Sequence, residues 1–257
     1  MPKKSKTLNL EELKVSCKDC SLADLCLPHG MSAEELNRLE SIVLHHQPVQ
    51  PGQHLFRSGD KSRALFALRS GALKSYCITE DGEEQVLGFT LPGELTGMDG
   101  LSGGTYASAS VALETSSICE LPFHKLEGLC SELPSLHRQM MHVMAREITS
   151  DQHMLMLLGK RTAEERLASF LLSLSTRYHQ RGLSATEFNL PMSRQDIGNY
   201  LGLAIETVSR LFAHFQEKGI VQVNRRRVII TDLDRIKAMV EPCVQTNMAA
   251  ISLAPVS

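Results

Sequence analysis

An uninterrupted helical segment in the middle of the chain places the strongest constraint on its fold. From Ser135 to about Leu158 there is no glycine or proline, and apolar residues recur at steps of four and three. This spacing predicts a heptad seam, whose positions are His137, Met141, Met144, Ile148, Asp151, Leu155 and Leu158. A second apolar stripe flanks the seam at Leu136, Met140, Val143, Met154 and Leu157. We expect one stripe to pack on the chain and the seam to pair with a second copy; a single wide core-facing stripe in a monomer is the alternative.

The sequence on the N-terminal side of this helix has a different texture. Residues 32–46 read as an amphipathic helix that Ser32 caps, with Glu35 at the capping-box position. From Pro48 to about Phe123, short apolar or alternating runs are separated by glycine-containing turns. Many short strands at this spacing predict an antiparallel barrel or jelly roll.

Composition sets outer bounds on what the chain does. With 257 residues and 42% hydrophobic residues, it is long enough for two domains with cores of their own. No apolar run approaches the ~20 residues that span a bilayer. The first sixteen residues are lysine-rich without a long apolar stretch, so we expect no signal peptide and a cytoplasmic location. We see neither a Ser/His/Asp pattern nor a phosphate-binding Gly-Lys loop, which argues against an enzyme.

Charge is distributed unevenly along the chain. The chain carries 27 basic and 29 acidic residues, but 12 basic and 8 acidic residues fall in 160–235. A basic C-terminal third suggests a polyanionic partner. Between Ser75 and Phe123 there is no lysine or arginine to meet a phosphate. We therefore expect no cyclic nucleotide there.

The segment 193–216 carries a helix-turn-helix pattern. Ser193 caps a first helix, Gly202 breaks it, and a second helix runs from about Ile205 to Gln216. Glu206, Ser209 and Arg210 share one face of the second helix, with Thr207 beside them. That face suits readout of base edges in a DNA major groove; a solvated ion pair between Glu206 and Arg210 is the alternative. A hairpin turning near Asn224 follows, and its Arg225, Arg226 and Arg227 suit a wing that touches phosphates.

Three cysteines near the N-terminus suggest metal chemistry. Cys17, Cys20 and Cys26 fall within ten residues, and such short intervals are typical of zinc and iron–sulfur sites. In a reducing cytosol this spacing favours metal or redox chemistry over disulfides. A fourth ligand is needed, and the residues alone do not choose among the candidates Cys77, Cys119, Cys130, Cys243 and His29. A zinc-stabilised or thiol-based redox regulator therefore stays open at this point.

Taken together, these segments resemble the FNR-type oxygen sensors of the cyclic-AMP receptor superfamily. The resemblance rests on the Cys-x2-Cys-x5-Cys run, the GDKSRALFALRSGALKSY, EEQVLGF and ETSSICELPF segments, the methionine-rich helix and GNYLGLAIETVSRL. It implies an α+β architecture in five parts: a cluster-binding arm at 1–31, a β-roll sensory domain at 32–134, a dimerisation helix at 135–160, a winged helix-turn-helix DNA-binding domain at 161–237 and a tail at 238–257. The tail, which contains Cys243, matches no part of the family pattern.

The same resemblance implies residue roles. Cys17, Cys20, Cys26 and Cys119 would hold a [4Fe–4S] cluster, and Asp151 would control dimerisation. Glu206, Ser209 and Arg210 would read a TTGAT–N4–ATCAA-like palindrome in double-stranded DNA. The loop containing Thr79, Gly82 and Glu83 would contact RNA polymerase. Loss of the cluster in oxygen would separate the homodimer and switch off DNA binding.

Overall fold

The computed structural model describes residues 16–240 of the chain. Cys243 and most of the 238–257 tail therefore lie outside the described residues, as do the first fifteen residues of the arm. Among the described residues, no helix is long and apolar enough to cross a membrane.

The N-terminal domain is built on two four-stranded antiparallel sheets, which confirms the predicted jelly roll. One sheet has the order β1-β8-β3-β6 and the other β2-β7-β4-β5. The strands are β1 Leu44–His45, β2 His54–Phe56, β3 Ala64–Ser70, β4 Leu73–Ile78, β5 Glu84–Thr90, β6 Leu95–Thr96, β7 Ala109–Ala112 and β8 Ser117–Pro122. Apolar side chains fill the space between the sheets, where the rings of Phe56 and Tyr106 stack with centroids 4.0 Å apart.

One helix precedes the strands of this roll in the sequence, and another follows them. Helix α1 (Ala33–Ile42) begins at the predicted capping box of Ser32 and Glu35. The prediction that this helix reaches residue 46 is wrong, because Leu44 and His45 extend and pair with β8 as strand β1. Helix α2 (Phe123–Glu132) was not predicted.

The long central helix is confirmed as α3 (Pro134–Lys160), with its proline in the first turn where no backbone donor is needed. The flanking stripe packs as expected, since Leu136 and Met140 are buried against α1, α2 and β3. The seam stripe is open in this single chain. Met141, Ile148 and Leu155 keep 48%, 58% and 72% of their surface exposed.

The C-terminal domain follows directly. Its elements are α4 (Ala163–Gln180), β9 (Glu187–Asn189), α5 (Arg194–Leu201), α6 (Ile205–Glu217), β10 (Val221–Asn224), β11 (Arg227–Ile230) and α7 (Leu233–Met239). Strands β9, β10 and β11 form one antiparallel sheet in the order β10-β11-β9.

The expectation of two independent cores is wrong in one respect. Val86, Phe89 and Leu91 of the roll lie in the same buried cluster as the core of the C-terminal domain. The ring of Phe89 meets that of Tyr200 on α5 at 5.2 Å between centroids. One face of β5 is thus covered by the helix-turn-helix.

Candidate metal centre and nucleic-acid interface

One pocket between the arm and the roll is lined by four cysteines. Cys17, Cys20 and Cys26 approach it from two 3₁₀ turns, Cys17–Asp19 and Ala23–Leu25, and Cys119 faces it from β8. The other pocket walls are mostly apolar: Leu22, Ala23, Leu27, Pro28, Leu39, Val43, Ala67, Leu68, Gly93 and Leu121, with Arg69 at one side. Of the four candidates for the fourth ligand that lie among the described residues, Cys119 alone lines this pocket.

The arm is held in place by contacts that do not involve the thiols. The amide of Gln139 on α3 donates to the carbonyl oxygen of Cys26 at 3.2 Å. Leu27 is 1% exposed and packs in the cluster that contains α1 and α2. These contacts place the three arm cysteines beside β8 in the chain itself.

The pocket disfavours thiolates in the absence of a cation. Burial raises the pKa of Cys26 to about 12 and that of Cys119 to about 11, and nearby thiols add to both shifts. Burial, followed by a hydrogen bond with Glu40, raises the pKa of Cys17 still further. All six cysteines among the described residues are free thiols. A bound metal would supply positive charge that favours the thiolate form of these three residues.

The donor set fits an iron–sulfur cluster. Four cysteines in a largely apolar setting are the ligand set of such clusters. Between residues 16 and 240, no three His, Cys, Asp or Glu side chains converge closely enough to hold a single metal ion. In a cluster of several irons each thiolate binds a different metal atom, so the four pocket cysteines meet the ligand count of a [4Fe–4S] cluster.

Two residues beside the pocket were missed by sequence reasoning. The Glu40 carboxylate accepts a hydrogen bond from the backbone N–H of Cys17 at 2.6 Å. His45 lies between that carboxylate and Cys119, with Nε2 3.5 Å from Glu40 Oε1 and Nδ1 3.9 Å from Cys119 Sγ. The signal that could have found His45 is the pairing of β1 with β8, in which His45 lies opposite Cys119.

The predicted helix-turn-helix is present and closely matches its pattern. Ser193 and Asp196 form the capping box of α5. Gly202 ends α5 at φ 63°, a left-handed backbone that favours glycine. Val208, Phe212 and Phe215 are buried on the inner face of α6.

The outer face of α6 is free of the roll. Glu206, Ser209 and Arg210 are exposed. Within the described chain, Glu206 and Arg210 form no ion pair; the Arg210 guanidinium instead donates to the hydroxyl of Thr207 at 3.3 Å. The Ser209 hydroxyl donates to the Ile205 carbonyl at 2.9 Å, which leaves its lone pairs available.

The arginine wing forms the predicted hairpin. Strands β10 and β11 pair Asn224 with Arg227, and Arg225 takes a left-handed backbone with φ 55° in the two-residue turn. Arg227 pairs with Glu187 at 2.6 Å, and Arg226 lies 3.9 Å from Glu114 of the roll.

Arg194, at the start of α5, was also missed. Its guanidinium lies over the Phe212 ring at 3.4 Å, and its Nη1 atom is buried without a hydrogen-bond partner. Burial lowers its pKa to about 10, so it stays a cation at neutral pH. This half-buried cation at the N-terminal end of the helix-turn-helix has one nitrogen without a partner to offer to an anion.

The remaining predicted residues lie at the surface. Thr79 and Glu83 close an exposed turn in which the Glu83 N–H donates to the Thr79 hydroxyl at 3.2 Å and Gly82 donates to the Thr79 carbonyl. Asp151 is exposed on the open seam of α3.

A jelly roll, a long helix with an open seam and a winged helix-turn-helix together define a class of DNA-binding regulators. Residues 46–132 match the cyclic nucleotide-binding domain family, and residues 165–239 match the Crp-like helix-turn-helix domain family. The structure of FixK2 from Bradyrhizobium japonicum is similar, with a TM-score of 0.71 and 28% identity, over 77% of this chain and 97% of that one.

Relatives that match most of this chain show to which group of DNA-binding regulators it belongs. The transcriptional activator protein anr of Pseudomonas aeruginosa is 52% identical over 84% of this chain and 88% of its own length. The fumarate and nitrate reduction regulatory protein of Escherichia coli K12 is 47% identical over 86% of this chain and 89% of its own. The chain belongs to the FNR-type transcription regulators of the Crp/FNR family. It is a DNA-binding regulator of transcription rather than an enzyme.

Proposed function

We propose that this regulator responds to oxygen through a [4Fe–4S] cluster held by Cys17, Cys20, Cys26 and Cys119. The observation that carries the proposal is the convergence of these four thiols, from segments about a hundred residues apart, on one largely apolar pocket. When bound, the cluster would supply an oxygen-labile link between the arm and β8. Loss of the cluster would remove that link and leave the arm attached to the rest of the chain only by contacts such as those of Gln139 and Leu27.

The output is homodimerisation along the seam of α3. Met141, Met144, Ile148, Leu155 and Leu158 supply apolar surface that is incompletely covered in the single chain. In a parallel two-fold pair, Asp151 faces its own copy. Two carboxylates ~4 Å apart repel by about 1 kcal/mol in water and about 4 kcal/mol at an effective dielectric constant near ~20. The dimer is then nearly balanced, so the position of the arm against α3 decides whether it forms.

Dimerisation brings two recognition helices to two half-sites of a TTGAT–N4–ATCAA-like palindrome. In each copy, Glu206, Ser209 and Arg210 would meet base edges, with Thr207 alongside. The wing arginines Arg225, Arg226 and Arg227, together with the half-buried guanidinium of Arg194, would meet phosphates. The exposed turn at Thr79, Gly82 and Glu83 would contact RNA polymerase.

Anaerobic metal analysis tests the proposal. Protein prepared without oxygen should contain iron and sulfide and should absorb visible light. The Cys119→Ala variant should lose the iron, the sulfide and the absorbance. Cys77→Ala and Cys130→Ala are matched controls outside the pocket and should keep them. A colourless protein that contains zinc would establish the zinc-based regulator instead. A cluster that survives Cys119→Ala but not a control substitution would reassign the fourth ligand.

A further inference from the structure

The turn between β5 and β6 joins the cysteine pocket to the DNA-binding domain. Gly93 lines the pocket at a backbone φ of 90°. A side chain at Gly93 would lie 2.9 Å from Cβ of Leu25 and 3.7 Å from Cβ of Leu22, so the cysteine loop rests directly on this turn. Because of these close contacts, a movement of that loop would displace Gly93 directly.

The next residue, Glu94, binds Arg177 of α4 and Arg181, which directly follows that helix. Arg177 donates to both carboxylate oxygens, at 2.9 Å from Nε and 2.5 Å from Nη2, and Arg181 donates at 2.6 Å. The Leu91 N–H also donates to this carboxylate, at 2.9 Å, and closes the turn. The Arg181 side chain is only 4% exposed. A bidentate arginine and a second buried arginine fix the carboxylate in direction as well as in distance.

The same two arginines also donate hydrogen bonds to backbone carbonyl groups of β5 and of the turn. Arg177 donates to the Phe89 carbonyl at 2.6 Å, and Arg181 donates to the Pro92 carbonyl at 2.7 Å. The turn is tied to β3 as well, because Gly93 donates to the carbonyl of Leu68 at 2.7 Å. Leu68 also lines the cysteine pocket. The four residues 91–94 therefore contact the roll, the cysteine pocket and the arginines at the end of α4.

We propose that Glu94 is a positioning residue for DNA binding, which couples the cysteine loop to the orientation of α4 and the helix-turn-helix. The inference rests on the proposed function, since the loop would respond to cluster binding. It adds a route that runs within one copy of the chain and does not pass through the α3 seam. A charged pair of this kind is sensitive to small displacements, because an unpaired buried arginine is costly.

Backbone hydrogen exchange separates this role from simple structural support. Exchange in residues 163–182 is compared between protein loaded anaerobically with iron and sulfide and the metal-free protein. We expect loading to slow it about tenfold in the wild type. In Glu94→Gln, the response in 163–182 should disappear while exchange in the roll still responds. Glu114→Gln is the control, because Glu114 is a half-buried carboxylate of the roll that lies 3.9 Å from Arg226 of the DNA-binding domain.

The outcomes divide cleanly. An unchanged response in Glu94→Gln, or no response of 163–182 in the loaded wild type, overturns the proposal. Iron binding is measured first, and failure to bind iron counts against the proposed function. The role of Glu94 can then be tested by a second experiment that needs no metal. In the metal-free protein, Leu25→Ala should speed exchange at 163–182, whereas Leu101→Ala, a leucine of the roll outside the pocket, should not. Equal effects of the two leucine substitutions would also overturn the proposal.

Discussion

At the scale of single residues, burial opposes ionisation at three of the four pocket thiols. Burial is the largest cause of the raised pKa at Cys17, Cys26 and Cys119. Glu40 contributes to the raised pKa of Cys17, because its hydrogen bond with the thiol and its negative charge both favour the protonated form. Its contact with His45 extends the polar link toward Cys119. Such outer partners fix the direction of metal ligands.

We therefore expect Glu40→Ala to release Cys17 from its position. Loss of the acceptor should cost roughly 1–3 kcal/mol locally. In the metal-free protein, the Cys17 thiol should react about tenfold faster with a thiol reagent, because each ~1.4 kcal/mol is a factor of ten. Mass analysis of labelled peptides measures each cysteine separately.

Two further variants make this result specific. Glu34→Ala removes an exposed carboxylate from the same helix and should leave Cys17 unchanged. Glu40→Gln removes the charge but keeps an acceptor, so it should stay close to the wild type if position controls the rate. An equal increase at Cys17 and Cys130 in Glu40→Ala would mean general unfolding and would contradict the expectation.

The sequence alone predicted those site residues whose roles follow from short intervals along the chain. The cysteine triplet and the face of α6 can be read from intervals of three to six residues. Cys119 required the family resemblance, because its approach to the arm depends on strand pairing across the roll. Glu40, His45 and Arg194 could not be found, since each acts through a contact with a residue distant in sequence or on a neighbouring helix. A predicted helix over 32–46 even hid the pairing of His45 with β8.

At the scale of elements, α3 is the helix through which we propose that two copies of the chain associate. Leu136 and Met140 of its flanking stripe are buried, whereas Met141, Ile148 and Leu155 of its seam are exposed. We expect Asp151→Ala to increase the dimer fraction in air, because it removes the carboxylate that faces its own copy. Sedimentation at several protein concentrations measures the change. A shift of about 1 kcal/mol would strengthen association roughly fivefold.

The control for that experiment removes the same charge elsewhere. Asp234→Ala deletes an exposed carboxylate from α7, away from the seam, and should not alter association. If Asp151→Ala also stays monomeric, repulsion between the two carboxylates is not what limits the dimer.

Helix α5 depends on an ionised cap. Burial raises the pKa of Asp196, but hydrogen bonds from Ser193 and then from Lys74 outweigh it, so the pKa of Asp196 lies below its ordinary value. A carboxylate with a lowered folded-state pKa stabilises the fold above its unfolded pKa, and this contribution disappears as pH falls through the folded pKa. The gap in unfolding free energy between wild type and Asp196→Asn should therefore be largest above ~pH 4 and shrink below it.

Urea unfolding across this pH range measures that gap. Asp234→Asn offers a comparison, because its partner Lys237 is exposed and the pair adds little stability. A gap between wild type and Asp196→Asn that does not vary with pH would show that shape, rather than charge, governs the cap.

At the scale of the whole molecule, the roll and the helix-turn-helix behave as one packed body. The face of β5 is covered by α5, and Lys74 of the roll reaches Asp196 at 2.9 Å. Local patterns assigned most of the elements on each side, apart from strand β1 and helix α2. They could not reveal this shared core, because the apolar residues of β5 read equally well as the inside of a roll. The recognition face of α6 nevertheless stays open to solvent.

In a two-fold dimer, a substitution on that face is present twice. Arg210→Ala should cost ~1–3 kcal/mol at each half-site if Arg210 reads a base. The loss on the full palindrome should then be about twice the loss on an operator with one scrambled half-site, because separated positions add. Arg226→Ala should weaken binding to palindrome and random DNA alike, and should reduce the salt dependence by about two phosphates per dimer. Titrations at two or more salt concentrations separate these effects, and an equal loss on random DNA would make Arg210 a phosphate contact.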